Sequence, residues 1–121
     1  MVFENKNLAI EFADNKASEL ALNLGKKVTP FVMNVDNDEY ALGYFLQPSR
    51  DIKMEVLDRL MNSDKSMNMG RFIFDNCIMK ESDALFFKEE LNDNEESILV
   101  GAYFKAQQII SLKLPESKKN S

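Results

Sequence analysis

A chain of 121 residues that is 45% apolar and 29% charged is one domain in length and carries enough apolar residues for a core. Wholesale disorder is excluded on that composition, and a membrane span is excluded because no run of about 18 apolar residues occurs. Fifteen basic against twenty acidic residues give a net charge of −5, which disfavours a phosphate-backbone partner.

Three further features restrict the chemistry. The chain has no histidine, so the usual neutral-pH general base and the commonest zinc ligand are missing. It has one cysteine, Cys77, so no intrachain disulfide framework is expected and a reducing cytoplasm is the default compartment. The opening Met1-Val2-Phe3-Glu4-Asn5-Lys6 has no apolar stretch behind a basic start, so no signal peptide is expected. Composition therefore predicts a soluble, non-enzymatic protein with no cofactor and no metal.

In chain order, residues from about Asn5 to Leu24 read as a helix. Ala17, Leu20, Ala21 and Leu24 follow the spacing of one helical face, Gly25 suits the position after the helix, and Lys26 and Lys27 sit where the dipole favours cations. Asp14-Asn15 offers a break, which would leave residues 1–12 as a loose arm. The period then changes to two. Phe31, Met33 and Val35 alternate, as do Tyr40, Leu42, Tyr44 and Leu46, around Asp36-Asn37-Asp38-Glu39. This predicts a β-hairpin with a four-residue connection, because the Asn-Gly or Asp-Gly of the tightest turns is missing. Pro30 falls near the start of the first strand, where a missing N–H is tolerable.

Pro48 ends the second strand and Ser49 is placed as an N-cap, with Asp51 in the first turn. Ile52, Val56, Leu57, Leu60 and Met61 then form a helical stripe that Asn62-Ser63-Asp64 closes. The next helix carries Met67, Phe72, Ile73, Phe74, Cys77 and Ile78, with Gly70 weakening its middle by roughly 1 kcal/mol relative to alanine. Ser82-Asp83 is read as the cap of a short helix through Leu85, Phe86 and Phe87. Asn94 is read as the cap of the longest helix, which runs through Ile98, Ala102, Ala106 and Ile110 until Pro115 stops it. Because an isolated hairpin is barely stable in water, it must lie on the helices or pair with another chain. The expected architecture is α+β and mostly helical: an N-terminal helix, one hairpin, then a C-terminal bundle of three or four helices. It forms one domain over residues 1–115, with residues 116–121 as a flexible polar tail.

Candidate sites in this sequence mostly have plainer explanations. Asp36, Asp38 and Glu39 do not supply the ligand spacing of a calcium loop, which needs glycine at its sixth position where Ala41 stands. The carboxylates between Glu81 and Glu96 read as a solvated acidic face. Cys77 lacks a neighbouring histidine and reads as a small buried residue. Met54, Met61, Met67, Met69 and Met79 read either as core filler or as an adaptable surface for a partner helix.

Tyr44-Phe45-Leu46-Gln47-Pro48-Ser49-Arg50 is similar to a Tyr-Leu-Lys-Arg-Pro-Ser-Arg segment of small proteins from tailed bacteriophages of Bacteroidota-type hosts. The same order of pieces follows: Asp75-Asn76-Cys77-Ile78 resembles an Asn-Cys-Trp run, Asp83-Ala84-Leu85-Phe86 a short Asp-x-x-Phe segment, and Ile109-Ile110-Ser111-Leu112-Lys113 the end of a final helix. The resemblance spans roughly residues 26 to 114, with Gln47 in place of a basic residue and Ile78 in place of the tryptophan. It implies a tail assembly chaperone-like or structural phage protein, found in the cytoplasm of an infected bacterium or in the virion. Such a protein binds a tail or head polypeptide, for instance a long helical tape-measure-type protein, and can form homo-oligomers. It would bind neither nucleic acid nor membrane. The alternative it leaves open is a permanent virion component: a capsid, connector or cargo protein. Partner contact is expected from the hairpin and the methionine-bearing helices through Tyr44, Arg50, Met54, Met61, Met67 and Met69.

Overall fold

A helical layer lies on each face of a two-stranded antiparallel sheet. The computed structural model describes residues 1–62 and 66–112, the side chains of residues 66–68 excepted. The elements are α1 (Lys6–Leu24), β1 (Val28–Asp36), β2 (Glu39–Leu46), α2 (Arg50–Asn62), α3 (Ser66–Cys77), a single 3-10 turn (Ala84–Phe87) and α4 (Asp93–Gln107). The α+β, mostly helical class is thus as the periodicities predict. Pro115 and the tail at 116–121 lie outside the described residues, as does the Ser63-Asp64 part of the helix stop.

Helix α1 opens with the Asn5 side chain accepting from the Leu8 N–H and closes at Gly25, whose φ of 66° is the left-handed conformation a glycine adopts at no steric cost. It runs through Asp14-Asn15 unbroken, because Ala9, Ala13 and Ala17 on its buried side pack against the sheet on either side of that pair. Residues 1–12 are therefore not a loose arm. The Tyr40 N–H donates to the Met1 carbonyl and the Phe3 N–H to the Asp38 carbonyl, both at 2.8–2.9 Å, while the Phe3 ring packs on Phe12 and Tyr40.

The hairpin turn is tighter than the sequence predicts. Asp36 pairs with Glu39, so only Asn37 and Asp38 lie between the strands, and a bulge at Val35 absorbs the extra residue. Asn37 takes the positive φ, 44°, that the missing glycine would otherwise supply, and the Asn34 side chain donates to the Asn37 and Glu39 carbonyls.

Alternation along β2 divides the core in two. Tyr40, Leu42 and Tyr44 face α1, joining Ala9, Ala13, Ala17 and Leu20. Ala41 and Phe45 face α3 and α4, joining Phe31, Ile73, Phe74, Phe86, Ile98 and Ala102. Aromatic rings bind this second cluster: Phe45 stacks on Phe31 at 4.5 Å, and Phe74 meets Phe45, Phe86 and Tyr103 edge-on. Gly43 sits across from Phe31 in the register, and a Cβ there would fall inside the Phe31 ring. The small residue is what lets that ring lie flat over the strand.

The outer edge of β2 is covered. The Met79 N–H donates to the Tyr44 carbonyl, the Asp83 N–H to the Leu42 carbonyl, and the Tyr44 N–H to the buried Ser82 hydroxyl. Ser82 thus ties the sheet to the loop after α3, and Asp83 alone caps the following turn by accepting from the Leu85 N–H. The cap of α4 is Asn92, not Asn94. Asn92 and Glu95 form a reciprocal capping box, whereas Asn94 donates across to the Val35 carbonyl. Helix α4 is also shorter than α1, ending at Gln107, and Ile109 and Ile110 pack on the core from beyond its end.

Candidate interaction surface

The corner between β2 and α2 sets the direction of α2. Lys27 and Gln47 bond to each other across the strand ends, and the Ser49 hydroxyl then accepts from the Ile52 N–H at 3.3 Å. Val56, fully buried, anchors the inner side of α2. Arg59 fastens the helix to α3 by lying 4.2 Å above the Phe72 ring while its guanidinium pairs with Glu55 at 3.1 Å.

With that inner side fixed, the opposite side carries Arg50, Met54, Leu57 and Met61. Their spacing of 4, 3 and 4 residues keeps all four within about 60° around the helix. Met54 is 59% exposed and Met61 71% exposed, while Leu57 is half-buried at the base of the stripe. A helix in contact with its own fold on one side thus presents a second seam, of coiled-coil spacing, to solvent. Lys26, Arg50 and Lys53 line a groove of about 510 Å³ at the N-terminal end of this seam. An apolar groove of about 250 Å³ opens beside its C-terminal end, between Leu60, Met69, Ile73 and Ile110.

The structure separates the six residues expected at a partner surface. Arg50, Met54 and Met61 share the exposed face of α2. Tyr44 is 3% exposed and Met69 8% exposed, so neither is available to a partner. Tyr44 is covered because α1 lies over its face of β2, and burial raises its phenol pKa. Met69 is on the inner side of α3. The Met67 side chain lies outside the described residues. Leu57 completes the seam and is identifiable from its spacing, but in sequence it blends into the neighbouring apolar positions Ile52, Val56 and Leu60, of which Val56 is buried and Leu60 47% exposed.

The titratable groups have simple environments. The acidic segment is dispersed: Asp83 caps a turn, and Asp93, Glu95 and Glu96 occupy the first turn of α4. Lys88 donates to Glu95 at 2.6 Å, and this bond, with the Asn92 N–H, holds the Glu95 carboxyl below the usual carboxylate range. Among the described residues no group of three or more His, Cys, Asp or Glu side chains could hold a metal ion. None of the described helices is long and apolar enough to cross a membrane.

Cys77, the last residue of α3, is buried, and burial pushes its thiol from 9.0 up to about 11. The unfolded thiol therefore ionises first as pH rises. Its contribution is full below pH 9 and is lost as pH rises from 9.0 towards about 11. In that window the wild type is expected to lose on the order of 2 kcal/mol more than Cys77→Ala, as read from urea melts at successive pH values. Parallel pH profiles for the two proteins would refute this.

Comparison with known proteins returns no match to any protein-family model, curated protein or solved structure.

Proposed function

We propose that the protein is a non-enzymatic, chaperone-like binding protein of bacteriophage tail or virion assembly, which holds another phage polypeptide by contact alone. The observation that carries this reading is the Arg50–Met54–Leu57–Met61 seam. Apolar side chains at this spacing suit an amphipathic helix laid along α2, and exposed methionines adapt to successive segments of a long helical partner of the tape-measure type. The sequence pattern running from Tyr44-Phe45-Leu46 through Asp83-Ala84-Leu85-Phe86 supports the phage assignment.

The paired substitution Met54→Lys and Met61→Lys is expected to reduce recovery of the partner from infected cells by at least about ten-fold. Because both side chains are exposed, the unfolding free energy should change by less than roughly 0.5 kcal/mol per site. Unchanged recovery would remove the seam from the binding mechanism. Mass spectrometry of purified particles checks the assembly role: an assembly chaperone is scarce there, whereas a fixed copy number would make the protein a permanent virion component instead.

A further inference from the structure

We infer that the free edge of β1 pairs with the same edge of a second copy of this chain, joining two hairpins into a four-stranded sheet. This goes beyond the proposed use of α2 and rests on a different face. In an antiparallel pair, residues alternate between those that bond to the partner strand and those whose N–H and C=O point away. On β2 the outward set is Tyr40, Leu42 and Tyr44, since these bond to Met1, Asp83, Met79 and Ser82. The register places Asn34, Val32 and Pro30 opposite them, with Val28 next in the alternation, so the backbones of those four point away from β2. Among the described residues nothing bonds to those groups. One edge of the sheet is thus largely covered and the other, among the described residues, bare, and a bare edge is a template for another strand.

A second copy fits this edge by charge and by shape. Strand β1 is preceded by Lys26 and Lys27 and ends in Asp36, with Asp38 in the turn. An antiparallel copy of the strand therefore sets a cationic end against an anionic one at both ends. With Val32 facing Val32 across a two-fold axis, the two valines exchange N–H and C=O bonds, and Pro30 meets Asn34 of the second copy, whose N–H can donate to the Pro30 carbonyl. In this register the Lys26-Lys27 end of one strand lies by the Asp36 end of the other. The groove of about 420 Å³ along the same edge repeats the pattern on α1, where Lys6 and Asp14 lie one helical step either side of Ile10. A two-fold axis near Ile10 faces each Lys6 with an Asp14 and covers both isoleucines, the self-complementarity an isologous interface requires.

Sedimentation of the full chain is expected to show a dimer that weakens as salt is added. Backbone amide exchange at Val32 and Asn34 should slow as protein concentration rises through the dimer range. Val32→Pro removes a donor that the hairpin does not use, and should raise the dissociation constant by roughly ten-fold or more. Should that variant not fold, reversing Lys26 and Lys27 to Glu supplies the second test. That reversal should weaken the dimer, and adding Asp36→Lys and Asp38→Lys should restore it. A wild-type monomer at every concentration overturns the inference. So does a dimer that keeps fast Val32 and Asn34 exchange, or one indifferent to the charge reversal. The Met54 and Met61 substitutions should leave dimerisation unchanged, so failure at this edge is distinguishable from failure of the α2 seam.

Discussion

Replacing Phe45 by alanine is expected to remove about 3–5 kcal/mol of stability, the cost of emptying a fully buried aromatic site. Phe45 is 1% exposed and belongs to the cluster where the sheet meets α3 and α4. Its ring stacks on Phe31 at 4.5 Å and meets Phe74 edge-on at 5.8 Å, so both partners lose a contact face together. The cavity cannot readily collapse. Phe31 is pressed over Gly43 on one side, and the Phe45 backbone bridges to Ile78 on the other. For a domain of ordinary stability, about 5–15 kcal/mol, the loss is a large fraction of the total. Urea denaturation should show the midpoint shift, and Phe45→Leu should recover part of it. A loss below about 1 kcal/mol would mean that this cluster does not hold the layers together.

The second large effect reverses what local propensity predicts. Alanine at Gly70 should stabilise α3 by roughly 1 kcal/mol if the helix stood alone. In the folded protein, however, a Cβ at Gly70 would lie 2.5 Å from the Tyr103 backbone carbonyl oxygen of α4. A side chain could rotate away, but a main-chain carbonyl moves only with its helix. The helices must therefore separate, loosening the Phe74–Tyr103 contact at 5.1 Å that lies between them. Overpacking of this kind costs about 1–3 kcal/mol, so the packing penalty outweighs the propensity gain. Gly70→Ala is expected to lower the thermal midpoint, and a higher midpoint would show that α3 and α4 are not in such close contact. Gly101 on α4 marks a similar approach to Met33, but there the obstacle is the end of a flexible side chain, so the same substitution should be milder.

The candidate surface was half legible for a definite reason. Arg50, Met54 and Met61 can be found from sequence because α2 has ordinary helical spacing and its first turn is marked by Pro48 and Ser49. The inclusion of Tyr44 and Met69 failed on facts that local pattern does not contain. An alternating strand suggests one wet face, yet α1 covers the Tyr44 face of β2 while α3 and α4 cover the other. Gly43 looks like a residue of an exposed face, but it is small because the Phe31 ring crosses over it.

The local chemistry of the chain by itself determined where most elements begin and end. Gly25 stops α1, Pro48 and Ser49 turn β2 into α2, and a change of period from 3.6 to 2 marks the hairpin. Those signals act within one helical turn or one strand pair, so sequence carries them in full. The choice of Asn92 over Asn94 as a cap is local too, since Asn92 and Glu95, three residues apart, satisfy each other's backbone N–H. Tertiary structure decided the Asn94 bond to the Val35 carbonyl, the tying down of residues 1–3, the burial of both faces of β2 and the bare edge of β1. Each depends on which layer covers which surface, and burial is a property of neighbours distant in sequence.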